Sequence, residues 1–271
     1  VSETATVLRA TDLRKEFAGM AAVEGVDLCL RAGGALGLVG ESGSGKTTVA
    51  RMLVGMVRPS AGTIVACGRD RSLPARDTAE RRRRGGEVQM VFQNPYGSLD
   101  PRQRVGAAIE EALRLHTDLD RGGRKAEVDR LGEIVGLDAR MLAARPPSLS
   151  GGQRQRAAIA RALAAKPRIV ILDEAVSALD VSIQAQILNL LADIRSELGV
   201  AYLLISHDLA VVRQLTEEAL VMRAGRIVEA GPTDQLLDHP RDPYTKLLRA
   251  SVPGPGWRPV RRRLGSSGGS R

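Results

Sequence analysis

An α/β fold is predicted, with a mainly parallel sheet, an N-terminal antiparallel β subdomain and an inserted α-helical subdomain. Three observations predict it. The apolar run ALGLV at 35–39 leads into the glycine-rich stretch GESGSGKTT at 40–48, and apolar residues then recur at helical spacing over 48–57. The run RIVIL at 168–172 ends in Asp173 and Glu174, and a second run at 201–206 ends just before His207. Both read as strands buried on two faces, as in a parallel sheet. Between these halves, residues 95–149 lose strand character and carry segments of helical period.

Taken in order, residues 7–12 and 23–30 alternate in the manner of strands, with Phe17, Ala18 and Gly19 as the turn between them. The helix after the glycine-rich stretch should end near Pro59, and 60–62 is a turn signal before a strand over 62–68. Residues 73–86 are charged, with four consecutive arginines at 81–84, and strand character returns at 88–92. Helices are expected at 105–115, 124–135 and 139–144, with Gly122, Gly123 and Gly136 as separators. The α/β pattern resumes with a helix at 153–165 stopped by Pro167, the strand at 168–172, a long amphipathic helix at 181–198 and the strand at 201–206. A hairpin of 219–222 and 226–230 and short helices at 233–238 and 244–250 follow. No internal repeat is evident.

The glycine-rich stretch satisfies G-x-x-x-x-G-K-[ST] in the strand–loop–helix context that gives this pattern meaning. Its residues are Gly40, Glu41, Ser42, Gly43, Ser44, Gly45, Lys46, Thr47 and Thr48. Gly40, Gly43 and Gly45 let the backbone curl until successive N–H groups point at an anion. The following helix adds its positive end. Lys46 can reach the β- and γ-phosphates of a nucleotide, and the Thr47 hydroxyl can ligate Mg²⁺. Asp173, an acid at the carboxyl end of a buried strand, can hold Mg²⁺ through water, and Glu174 can orient or deprotonate an attacking water. Ser150, Gly151, Gly152 and Gln153 open a helix and form a second anion-binding nest. A plain helix cap would use the same residues. One triphosphate already has a loop in this chain, so the second nest gains a ligand if it closes on nucleotide held by another subunit.

Composition restricts the class. The 271 residues, 43% hydrophobic and 26% charged, suit one large soluble domain or a domain with an inserted lobe. No stretch approaches a membrane span, and the first residues lack the layout of a signal peptide. Cys29 and Cys67 have no paired spacing, so neither disulfides nor a metal cluster are expected, which fits a reducing cytoplasm. The net charge is +9. Arg249, Arg258, Arg261, Arg262, Arg263 and Arg271 account for two thirds of that excess. The tail at 251–271, rich in Pro, Gly, Ser and Arg, is expected to be disordered and solvated.

With LSGGQ at 149–153 as its signature, residues 7–250 resemble an ABC transporter ATP-binding subunit, a P-loop NTPase of the ABC ATPase type. The resemblance implies one nucleotide-binding domain over 1–250, its helical subdomain inserted at about 95–152. It implies that Phe17 lies against adenine, that Gln93 contacts Mg²⁺ and the γ-phosphate region, and that Glu174 is the catalytic base. Asp180 would meet the opposing subunit, and His207 would contact the γ-phosphate. His116 and His239 have no such context and are expected at the surface. VFQNPYGSLDPR at 91–102, DEAVSALDVSIQAQILNLL at 173–191 and HPRDPYTKLL at 239–248 are similar to the oligopeptide, dipeptide and nickel importer branch. The arginine run looks like that branch too and reads as a solvated or headgroup-facing patch, so no specific nucleic-acid partner is expected. Relatives with an iron–sulfur cluster carry C-terminal cysteines, which are missing after Cys67.

The implied activity is ATP hydrolysis, with ATP and Mg²⁺, energising uptake of peptides or a related small solute. The implied partners are a second ABC ATPase subunit, two transmembrane permease subunits and, indirectly, an extracytoplasmic solute-binding protein. The implied location is peripheral, at the cytoplasmic face of the cell membrane. The rival readings are a soluble ABC ATPase and an exporter ATPase. The former would carry two cassettes, or coiled-coil or zinc insertions, and the importer-like segments weigh against the latter.

Overall fold

The computed structural model describes residues 5–93 and 99–250. Two sheets organise the chain. In the first, β1 (Thr6–Phe17) and β2 (Met20–Arg31) form a hairpin, joined by β4 (Ala61–Ala66) and the two-residue β5 (Arg69–Asp70) in the order β2-β1-β4-β5, all antiparallel. The second comprises β3 (Ala35–Val39), β6 (Val88–Val91), β7 (Ile169–Asp173), β8 (Ala201–Ser206), β9 (Glu218–Arg223) and β10 (Arg226–Pro232). Its order is β10-β9-β3-β8-β7-β6, parallel except for the β9–β10 hairpin.

Strand periodicity places the larger sheet between two cores. In β7, Ile169 and Ile171 face one core while Val170 and Leu172 face the other. In β8, Leu203 and Ile205 alternate in the same way with Tyr202 and Leu204. One core is shared with β1, β2 and α1 (Lys46–Leu53); the other is covered mainly by helices. Both faces are thus removed from water, which is why these strands read as unbroken apolar runs.

The remaining helices are α2 (Thr78–Glu87), α3 (Val105–His116), α4 (Arg121–Val135), α5 (Ala139–Ala143), α6 (Gly151–Leu163), α7 (Val181–Leu198), α8 (Leu209–Leu215), α9 (Thr233–Asp238) and α10 (Pro243–Ala250). α3, α4, α5 and α6 pack on one another, placing helices alone between β6 and β7, as expected for the insertion. Its expected start at 95, and the expected disorder of the tail at 251–271, lie outside the described residues.

Several local expectations change. α1 ends at Leu53, because Gly55 takes φ +83° and the N–H groups of Met56 and Val57 fold back onto the Arg51 carbonyl. Gly122 and Gly123 lie inside α4, where the Asp120 carboxylate accepts from the Gly123 N–H and starts the helix before the pair. Sequence periodicity missed α2, which buries no residue and so has no apolar stripe; Asp77 caps it by accepting from the Glu80 N–H. It also missed the short α8, likewise capped by Asp208. His116 is half-buried, its ring against Gly85 and Gly86, and burial lowers its pKa. His239 is exposed, as expected.

Candidate functional site

The register of three neighbouring strands assembles the site. In the order β3-β8-β7, Val39 pairs with Ser206 and Ile205 pairs with Asp173, so the carboxyl ends of all three strands are level. The residues that follow them, Gly40, His207 and Glu174, therefore emerge along one edge. In open parallel sheets that edge is where ligands bind.

The loop after β3 is held by contacts that require glycine. Gly40 has φ +154°, and a Cβ there would lie 2.1 Å from the Met222 carbonyl oxygen. Gly45 has φ +108°, and its Cβ would lie 2.5 Å from the Ala22 carbonyl oxygen. Gly43, at φ +81°, has open space instead, so only its backbone conformation calls for glycine. The Ser44 N–H donates to the Glu41 carbonyl at 3.2 Å, and the Ser44 carbonyl accepts from the Gly225 N–H at 2.9 Å. Glu41, Ser42 and Gly43 are exposed, while Thr47 and Thr48 are half-buried in α1.

Lys46 is 4% exposed and folds its ammonium back into the loop. Nζ donates to the carbonyls of Gly40 and Glu41, each at 2.7 Å, and to Ser44 Oγ at 3.3 Å. Burial lowers its pKa, and the nearby carboxylates of Glu174, Asp173 and Glu41 act in the opposite direction. The Thr47 hydroxyl donates to Asp173 Oδ1 at 3.2 Å. Burial raises the Asp173 pKa, while the Thr47 hydrogen bond lowers it. A buried acid beside a hydroxyl is a hard-oxygen donor set of the kind that suits Mg²⁺. Among the described residues no group of three or more His, Cys, Asp and Glu could hold a metal alone.

Glu174 sits at φ +49°, in the left-handed region uncommon for a residue with a side chain. Its N–H donates to the Ile205 carbonyl at 2.9 Å, and its carbonyl accepts from both the N–H and the hydroxyl of Ser177. The chain thus turns abruptly off β7 and aims the carboxylate along the sheet edge. His207 Nδ1 lies 3.4 Å from Glu174 Oε2. Next to it the Asp208 N–H donates to the Ser206 hydroxyl, fixing the turn into α8.

Lys46, Thr47, Asp173, Glu174 and His207 are therefore brought together. Other expected site residues sit elsewhere. Ser150 and Gln153 form a reciprocal capping box at the start of α6: the Ser150 hydroxyl accepts from the Gln153 N–H, and Gln153 Oε1 accepts from the Ser150 N–H. Gly151 packs against Leu179, and a Cβ on Gly152 would lie 2.6 Å from Ile183 Cγ2. The plain-cap reading is thus realised locally, with Ser150 still exposed. Asp180 is the exposed residue before α7, with no side-chain capping bond. Gln93 is exposed just beyond β6, the edge strand beside β7. Phe17 is 46% exposed at the tip of the β1–β2 hairpin, with the Lys15 ammonium 4.9 Å from its ring centre. Ala22 of the same hairpin borders Gly45, which places Phe17 on the side of the molecule that carries the loop.

Sequence reasoning missed Tyr244. It is 4% exposed in α10, and its hydroxyl accepts from the Glu41 N–H at 3.0 Å. The Arg223 guanidinium lies 4.9 Å over its ring. Within HPRDPYTKLL, a tyrosine in a polar, proline-punctuated stretch carries no local sign of a partner 203 residues away.

Residues 23–177 match the family model described as ABC transporter. The dipeptide transport ATP-binding protein DppF of Escherichia coli (strain K12) is 44% identical over 257 residues, covering 91% of this chain and 76% of that protein. The glutathione import ATP-binding protein GsiA of the same strain is 48% identical over 234 residues, covering 86% of this chain and 37% of that protein. Among solved structures, the ATP-binding cassette MJ0796, a dimer in a post-hydrolysis state bound to ADP and Pi, superposes with a TM-score of 0.75 at 25% identity. That match covers 83% of this chain and 98% of the cassette.

Proposed function

The chain belongs to the ABC transporter family of ATPases, and from that premise we propose that it is the ATP-binding and ATP-hydrolysing subunit of an importer for peptides or a related small solute. It works at the cytoplasmic face of the membrane, bound to two permease subunits and served by an extracytoplasmic solute-binding protein. Residues 1–250 act as one nucleotide-binding domain. Among the described residues no helix is long and apolar enough to cross a membrane.

The observation that carries this reading is the level register of β3, β8 and β7, which sets Lys46, Thr47, Asp173, Glu174 and His207 along one edge. Residues 40–48 wrap the ATP phosphates with backbone N–H groups. Lys46 exchanges its present carbonyl acceptors for phosphate oxygens. Thr47 and Asp173 would hold Mg²⁺, joined by Gln93; the ion would neutralise charge on the β- and γ-phosphates. Glu174 orients the attacking water and takes its proton. His207 steadies Glu174 from 3.4 Å and reaches toward the γ-phosphate. Phe17 lies against the adenine.

Ser150, Gly151, Gly152 and Gln153 close on ATP held by a second subunit, and Asp180 meets that subunit beside them. The exposure of Ser150 and Asp180, with Ser150 on a helix start built independently of the phosphate loop, supports this division of labour. The contacts that the 40–48 loop of one subunit and residues 150–153 of the other make with the γ-phosphate exist only before hydrolysis. ATP therefore favours the closed pair, and hydrolysis releases it.

Glu174→Gln tests the assignment. Turnover should fall by about 10²–10⁴-fold while ATP binding is retained. Size exclusion with Mg²⁺-free ATP should then show a dimer. Unchanged turnover would refute the role of Glu174. Retained binding with no dimer would point to an obligatory sister subunit or membrane partner in place of a second copy.

A further inference from the structure

Behind the phosphate loop, a cavity of about 390 Å³ opens between the far end of α1, the segment after β5 and the outer side of α2. Its charged lining is entirely cationic: Arg58, Arg71, Arg81 and Arg84 contribute, and no Asp or Glu does. The rest is largely apolar, with Met52 and Leu73 on its walls. Nothing in the nucleotide site described above uses these groups.

The arginines are unevenly satisfied. Arg71 is 7% exposed. It pairs with Glu87, but that carboxylate is shared with Arg69. The Arg71 Nε remains buried with no acceptor among the described residues. Such an orphaned donor is unusual in a folded interior. Arg84 is held by Glu80 and the Leu73 carbonyl, so it is fixed in place at the wall. The Asp70 carboxylate is occupied by the Ser72 N–H and hydroxyl. Arg58 and Arg81 have no ion-pair partner among the described residues. Two unpaired guanidiniums, those of Arg58 and Arg81, therefore line a concave space of ligand size, which Arg71 and Arg84 line as well.

We propose that this cavity binds a phosphate ester, its phosphate on the arginines and its organic part against Met52 and Leu73. Guanidinium forks match phosphate oxygens in a bidentate manner that a lone lysine cannot reproduce. Chloride or sulfate would leave the apolar wall unused. The position gives the ligand a consequence. α1 begins at Lys46 of the phosphate loop, and α2 runs straight into β6, which ends two residues before Gln93. An anion drawing Arg58 and Arg81 together would brace the two segments on which the nucleotide site depends. The same phosphate chemistry is offered by soluble esters and by phospholipid headgroups.

The test uses the full chain saturated with ATP, so that the phosphate loop is filled. Calorimetric titration with sn-glycerol 3-phosphate is compared with co-sedimentation on phosphatidylcholine vesicles containing phosphatidylglycerol. Arg58→Ser/Arg81→Ser should bind at least tenfold more weakly. Both residues are exposed, so folding should persist, which circular dichroism checks. Arg82→Ser/Arg83→Ser removes the same charge from outside the cavity lining and should bind like the parent chain. Selective loss of glycerol phosphate binding would support the site with a soluble ester as ligand. Selective loss confined to vesicles would support it with a headgroup as ligand. Binding of neither probe, or equal losses in the two double variants, would overturn the proposal.

Discussion

Removing a single oxygen, by Tyr244→Phe, should weaken ATP binding without slowing the chemical step. The Tyr244 hydroxyl is the acceptor for the Glu41 N–H at 3.0 Å, and the Glu41 carbonyl in turn holds Lys46 Nζ at 2.7 Å. The ring is clamped beneath Arg223, which follows directly on Met222, whose carbonyl fills the space where Gly40 lacks a side chain. α10 thus steadies the start of the phosphate loop from a point remote in sequence. Phenylalanine keeps the ring and its packing but leaves the Glu41 N–H without its partner. An unsatisfied buried donor costs about 1–3 kcal/mol. Glu41 is exposed and water can approach, so the lower end applies, about 1 kcal/mol, or roughly a fivefold loss of affinity. KM for ATP should rise by about that factor, with kcat within about twofold, because Tyr244 touches neither Glu174 nor His207. The melting temperature should fall by about 2–4 °C. Steady-state ATPase measurements with a thermal melt decide it. An unchanged KM, or a fall in kcat exceeding the change in KM, would refute the idea that Tyr244 acts through the loop.

Gly40→Ala places a Cβ 2.1 Å from a backbone oxygen that cannot swing aside, and at φ +154°. It should cost more than about 2 kcal/mol in thermal unfolding and abolish ATP binding; a normally stable, ATP-binding variant would contradict the geometry. Asp173→Asn keeps the shape around Thr47 but removes the anion. It should retain binding of Mg²⁺-free ATP, while Mg²⁺-dependent turnover falls by at least about tenfold; normal turnover would remove Asp173 from the ion site.

Much of the site was legible because its parts are local. The phosphate loop needs three glycines, a lysine and a threonine within nine consecutive positions, and its strand and helix adjoin it in the chain. Asp173 and Glu174 were readable because a strand buried on both faces has no reason to end in two acids unless its end does chemistry. α7 came out at its expected bounds, since its amphipathic period runs for 18 residues. α2 did not, because a helix that buries nothing imposes no period.

What the chain order leaves open is which distant segments touch, because contacts between them depend on packing and not on local period. The interleaving of β3, β8 and β7 brings Gly40, His207 and Glu174 to one edge from widely separated positions. The clash that makes Gly40 obligatory comes from Met222, and the acceptor for Glu41 comes from Tyr244. Likewise, the arginine run at 81–84 reads as a solvated or headgroup-facing patch, and only the fold brings Arg81 and Arg84 to the same cavity as the distant Arg58 and Arg71. Sequence alone determined the chemistry each segment could offer; tertiary packing decided which groups meet, because burial and close approach are properties of neighbours that the chain brings from far away.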